Sequence, residues 1–219
     1  MRKILLSLFL ISGCMVGAES TGGGDDGVGD DQQQPQPQPN PDPQSRVCSL
    51  PETTADAGNL TAAKAQQCNV PGSQGTKKWY RVAATLAGSM DYVQIELWDG
   101  RGAFTGGAVA TGTYQLTGAE LDPATCGVCV RGLGDKGAAT QKEYFATGGS
   151  VQVTSIGGAG AQVSVTLSGA QFREIDATTK AAVSGGCNAS VSRVQLAGTI
   201  VAVTGGGGGG GSCPATIGD

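Results

Sequence analysis

Histidine is absent from this chain of 219 residues. Its absence removes Ser-His-Asp and Cys-His catalysis, the commonest general base near neutral pH, and His-ligated zinc, copper or non-haem iron. Aromatic residues are scarce as well, with two Trp, four Phe and four Tyr, so a core must be built mostly from aliphatics. Small side chains each bury less surface, which raises the value of covalent cross-links. Charge is thin at 15% of residues and nets to −4. No basic block exists beyond Lys77-Lys78 and Arg81, so nucleic acid is not an expected partner. No apolar run approaches the roughly 20 residues of a membrane-spanning helix.

The longest apolar run, Ile4 to Ile11, follows Arg2-Lys3 and is followed in turn by Ser12-Gly13-Cys14. A basic start, a short apolar stretch and small residues before a cut site make a secretory signal. The sequence Leu10-Ile11-Ser12-Gly13-Cys14 resembles a bacterial lipoprotein lipobox. That resemblance implies a diacylglyceryl thioether on Cys14, cleavage before it, and an acylated new amino terminus. Two or three chains attach a protein far more firmly than the reversible hold of one. With Met15 and no Asp after the cysteine, the resemblance implies the outer membrane, at its periplasmic face or the cell surface. Loss of Arg2 and Lys3 with the leader leaves 12 basic against 18 acidic residues, a net −6 from side chains.

Residues 14–47 read as the lipidated cysteine and a disordered tether. From Glu19 to Gln44 no Leu, Ile or aromatic occurs, and such a segment cannot bury enough apolar surface to offset its conformational entropy. Its first part is Gly- and Asp-rich, while prolines alternate from Pro35 to Pro43 and favour extended polyproline backbone. The acids Asp25, Asp26, Asp30 and Asp31 lack the spacing of a calcium loop. Residues 48–219 are long enough for one domain with a sizeable core. Near their end Gly205–Gly211 forms a glycine run expected as a mobile loop, and Ser212-Cys213 after it excludes a P-loop.

Period-two alternation dominates the domain: Val93, Ile95 and Leu97; Val151 and Val153; Val163, Val165 and Leu167; Val194 and Leu196. Alternation places apolar side chains on one face of a half-buried antiparallel sheet. Breaks at Gly100-Arg101-Gly102, Gly148-Gly149 and Gly157 to Gly160 divide the runs. The best helical spacing is Leu60 to Gln67. About eight short strands indicate an all-β antiparallel sandwich, with a jelly roll among its forms.

With Cys14 taken by lipid, Cys48, Cys68, Cys126, Cys129, Cys187 and Cys213 remain. An even set in an exported chain implies three disulfides with roughly 15 connectivities open, of which Cys48 with Cys68 is the most local pair. Cys126-Gly127-Val128-Cys129 has thioredoxin-like spacing, yet no helical pattern follows it. One such half-site is too few for a Cys₄ zinc centre, and neither a metal nor a cofactor is expected.

Of the carboxylates, Glu96 and Asp99 flank Trp98, and Asp91 and Glu120 lie elsewhere; a glycosidase needs two such groups about 5–10 Å apart. Trp98, Asp99 and Arg101 form the candidate binding group, Trp98 being opposite in phase to Leu97 and so expected to face solvent, where an indole can stack on a sugar or a partner. The stretch DYVQIELWDGRGAFTGG with TGTYQLTGAELDPATCGVCV, within Asp91 to Val130, is similar to secreted lipoproteins of myxobacteria and related deltaproteobacteria. Phe172-Arg173-Glu174 and Gly186-Cys187 extend the similarity, and no catalytic residue comes with it. The expectation is a non-enzymatic, lipid-anchored envelope module binding a glycan or an envelope protein. Its rival is a histidine-free enzyme, either a thiol oxidoreductase at Cys126/Cys129 or a carboxylate-based glycan hydrolase.

Overall fold

A computed structural model describes Cys48, Leu50 and residues 54–62, 64–69, 77–86 and 90–203. All of these lie within the unit Pro41–Asp219. The expected leader, Cys14, the tether, the glycine run 205–211 and Cys213 fall outside the described residues.

The described residues form ten strands: β1 (Thr54–Thr61), β2 (Lys64–Asn69), β3 (Lys78–Thr85), β4 (Tyr92–Trp98), β5 (Gly112–Gln115), β6 (Val128–Gly134), β7 (Lys142–Ser155), β8 (Gln162–Ile175), β9 (Asn188–Thr199) and β10 (Val201–Ala202). The only helical elements among the described residues are short 3-10 turns at Gly102–Phe104 and Gly118–Leu121. The all-β class holds. Hydrogen bonding links all ten strands into one curled mixed sheet in the order β1-β9-β8-β7-β6-β4-β3-β2-β10, with β5 on β7.

Two parallel pairings explain the curl. β1 runs parallel to β9, and β2 runs parallel to β10. Because β1 leads directly into β2 and β9 directly into β10, two neighbouring segments turn the same corner together from one edge of the sheet to the other. Ala62 N–H donates to Ala197 O at 2.7 Å at this corner, and a Cβ on Gly198 would press on Ala62 and Ala65 at 3.1 and 3.2 Å. Leu60 to Gln67, expected as the best helix, is therefore strand, corner and strand. Ladder pairing with β9 and β3 outweighs a weak helical spacing.

Gly148-Gly149, expected as a break between strands, is instead a bulge within the 14-residue β7. Gly149 has φ of 116°, and a Cβ there would sit 2.8 Å from Ala170 Cα, so only glycine allows the two long strands to bend together. Before the bulge β7 pairs with β6, and after it with β5.

The alternating valines and leucines named from the sequence all point into one core, shared by strands β2 to β4 and β6 to β9. Alternation fails as a guide on the opposite face. Every residue of β4 and β6 is buried, polar members included.

Candidate functional site

Trp98, expected to face solvent, is fully buried. Its ring lies 5.9 Å from that of Trp79, with the Arg101 guanidinium 4.4 Å above it. An indole so enclosed cannot stack on a sugar, so the expected contact is corrected to a packing role. Asp99 is buried too: its carboxylate accepts from Lys78 N–H at 2.8 Å and from Val109 N–H at 2.7 Å, tying the 99–109 loop to β3. Arg101 is partly exposed. The three residues do lie together, but as the root of a loop. Beside them Lys77, Asp99, Gly100 and residues 105–108 line an open hollow of about 290 Å³.

The other expected carboxylates are likewise engaged. Glu120 accepts from Ala103, Gly127 and Val128 N–H at 2.6, 2.9 and 2.5 Å, which fixes the 3-10 turn at Gly102 against the Cys126–Cys129 loop. The packing there leaves no room for a methyl: a Cβ on Gly127 would fall 2.1 Å from Arg101 O, and one on Gly102 2.1 Å from Glu120 Oε1. Asp91 accepts from Asp135 N–H at 3.2 Å. Glu96 is fully buried and accepts from Trp79 Nε1 at 3.1 Å, Arg81 at 3.2 Å and Gln94 Nε2 at 2.5 Å. Acid–base chemistry needs a carboxyl within reach of substrate, and these four are turned to the protein's own donors.

The cysteines resolve differently from the most local pairing. Cys48 bonds Cys187, 139 residues away, and not Cys68; the chain before β1 is brought to the start of β9. Cys126 bonds Cys129. Cys68 is disulfide-bonded as well. Both Cys126 and Cys129 are buried in a cluster with Trp79, Trp98 and Phe145. A redox pair needs an accessible sulfur in an electropositive setting. Native, unreduced protein is therefore expected to show no thiol reactive to Ellman's reagent, and mild dithiothreitol to leave Cys126–Cys129 closed until denaturant is added. Two native-state thiols released at these positions would restore the oxidoreductase reading.

The feature that linear reading missed is the outer face of the sheet. Cross-strand partners share a face, and register places Lys64, Ala83, Gln94, Arg131 and Phe145 in one row across β2, β3, β4, β6 and β7. The adjoining row is Gln66, Arg81, Glu96 and Cys129. On the other side lie Tyr92, Leu133 and Glu143. Arg81 pairs with Glu96, and Arg131 and Lys180 both pair with Glu143. Lys136 Nζ stands 3.8 Å from the Tyr92 ring centre. Burial, then repulsion from Arg81, Lys136 and Arg131, lowers the Lys64 ammonium from its ordinary value. Burial raises the Tyr92 phenol, against the pull of Arg81 and Arg131. Only Arg81 of these cations stood in a sequence cluster; strand pairing brings in Lys64 and Arg131, and the turns after β6 and β8 bring in Lys136 and Lys180.

Among the described residues no group of three or more His, Cys, Asp or Glu could hold a metal ion, and no helix is long and apolar enough to cross a membrane. No family model matches the chain, and neither the curated proteins nor the solved structures contain a significant match to it.

Proposed function

We propose that this chain is an exported lipoprotein, held to the outer membrane through Cys14, whose β domain serves as a binding or structural module of the envelope. The observation that carries the non-enzymatic side of this reading is the engagement of Glu96, Asp99, Asp91 and Glu120 by internal donors. The lipobox-like Leu10 to Cys14 supports the anchor. The disulfides Cys48–Cys187 and Cys126–Cys129 support an oxidising compartment such as the periplasm or cell surface. A glycan or envelope protein is the proposed partner class, approached from a tether long enough to hold the domain off the membrane.

The anchor is tested by expressing the full chain in a diderm host and measuring the mass of its amino-terminal peptide. Acylated Cys14 in the membrane fraction is expected, with Cys14→Ser shifting essentially all protein to the soluble fraction. An unmodified residue 14 on protein already soluble would overturn the reading. The same preparation tests the cysteine count: acylation at Cys14 leaves an even set of six cysteines for disulfides.

A further inference from the structure

We propose that the outer face of β2, β3, β4 and β6 binds a phosphate-type oxyanion among Lys64, Arg81, Arg131 and Lys136. The proposal deepens the binding-module reading and rests on it, but it does not depend on the lipid. Three observations carry it.

The first is charge. The rows described above carry three cations, Lys64, Arg81 and Arg131, and two carboxylates, Glu96 and Glu143; Lys136 and Lys180 add two more cations from the turns after β6 and β8, over the Tyr92 ring and against Glu143. This local excess of positive charge stands in a chain whose net charge is −4. Arg81 contributes its field while paired with Glu96, and Arg131 keeps one fork on Glu143 at 3.2 Å.

Unmet hydrogen bonding is the second. Arg131 Nε and Tyr92 Oη are buried on this face with no hydrogen-bond partner. A buried donor left unmade costs about 1–3 kcal/mol, and a guanidinium N–H makes its strongest bonds to phosphate and carboxylate oxygens. Trp98 Nε1 is also unpartnered, but it lies at the far end of β4 and is not part of the site.

The third is shape. Ala83 stands between Lys64 on one side and Gln94 on the other, so the row has a small residue beside Lys64, with the neutral Gln94 between it and Arg131. Lys64 and Lys136 are exposed and can close on an anion without repacking. A trigonal or tetrahedral oxyanion offers several acceptors at once, and this matches donors arriving from separate strands better than a single carboxylate does.

Binding is read by isothermal titration of the full chain in detergent at low ionic strength, where screening is weak. The probes are inorganic phosphate, glucose 6-phosphate, and glucose as the neutral control. Saturable phosphate binding is expected, with Lys64→Gln/Lys136→Gln weakening it about tenfold or more. Both positions are exposed, so the thermal midpoint should hold. Lys77→Gln, in the hollow beside Asp99, should leave binding unchanged. Tighter binding of glucose 6-phosphate than of phosphate assigns the anion to a phosphosugar, and equal binding assigns it to the free ion. The site is overturned if no saturable binding is seen up to ~10 mM ligand, if the double variant binds as the parent does, or if Lys77→Gln weakens binding as much. Failure here with Cys14 acylated removes this site and leaves the anchored module; binding with Cys14 unmodified removes the anchor and leaves the site.

Discussion

Glu96→Ala is expected to be the most damaging single substitution on the sheet, lowering unfolding free energy by about 3–5 kcal/mol. The carboxylate sits fully buried on β4 and takes hydrogen bonds from three side chains, one of them the Arg81 guanidinium. Removing it strips Trp79 Nε1 and Gln94 Nε2 of their acceptor and leaves Arg81, itself buried, without its carboxylate. A loss of that size is a large share of the roughly 5–15 kcal/mol that holds a domain together. Glu96→Gln keeps an acceptor oxygen and the shape, so it should cost clearly less. Replacing both partners, Glu96→Leu with Arg81→Met, should recover much of the loss, since an apolar pair of similar volume removes the burial of charge altogether. Urea unfolding followed by tryptophan fluorescence and circular dichroism reads all three. A Glu96→Ala protein within 1 kcal/mol of the parent would show that the network is not what holds β3 to β4.

Glu96 also shows where sequence reading stops. Ile95 and Leu97 alternate with it, and alternation correctly sent them to the core; the same rule assigned Glu96 to water. The rule presumes one solvated face, and here the second face of the central strands is also closed, with Trp79 and Trp98 packed over it. Trp98 was misassigned for the same reason. The strands were legible where bulky aliphatics alternate, as in β4, β8 and β9, and illegible where Ala, Gln and Thr fill the pattern, as in β1 and β2. Parallel pairing at the corner left no linear mark at all. The oxyanion face was hidden for a further reason: Lys64 and Arg131 come onto one row only through three successive ladders, and no spacing rule spans a distance set by topology.

Replacing Cys48 and Cys187 together by Ser is expected to lower stability by about 4–5 kcal/mol in the loop-entropy account, because the bond closes nearly the whole domain. The sequence separation is 139 residues, and the gain grows with the logarithm of loop length. Substituting both residues avoids a free thiol that could exchange with Cys68 or Cys126. Local contacts suggest that the native geometry survives the loss: Leu50 remains buried with its N–H on Tyr144 Oη at 3.4 Å, and Glu174 accepts from Cys187 N–H at 2.9 Å. The thermal midpoint should fall by roughly 10 °C or more, taking about 2–4 °C per kcal/mol for a chain of this size, and a fall under about 2 °C would refute the entropic account. The position matters beyond stability. Under the tethered reading, any pull from the membrane enters the domain at Cys48, and the disulfide passes it straight to the start of β9, bypassing the β1 edge where parallel strands would otherwise peel first. The double variant should therefore lose resistance to proteolysis earliest at β1 and β2, and cleavage sites mapped by mass spectrometry before global unfolding read that order.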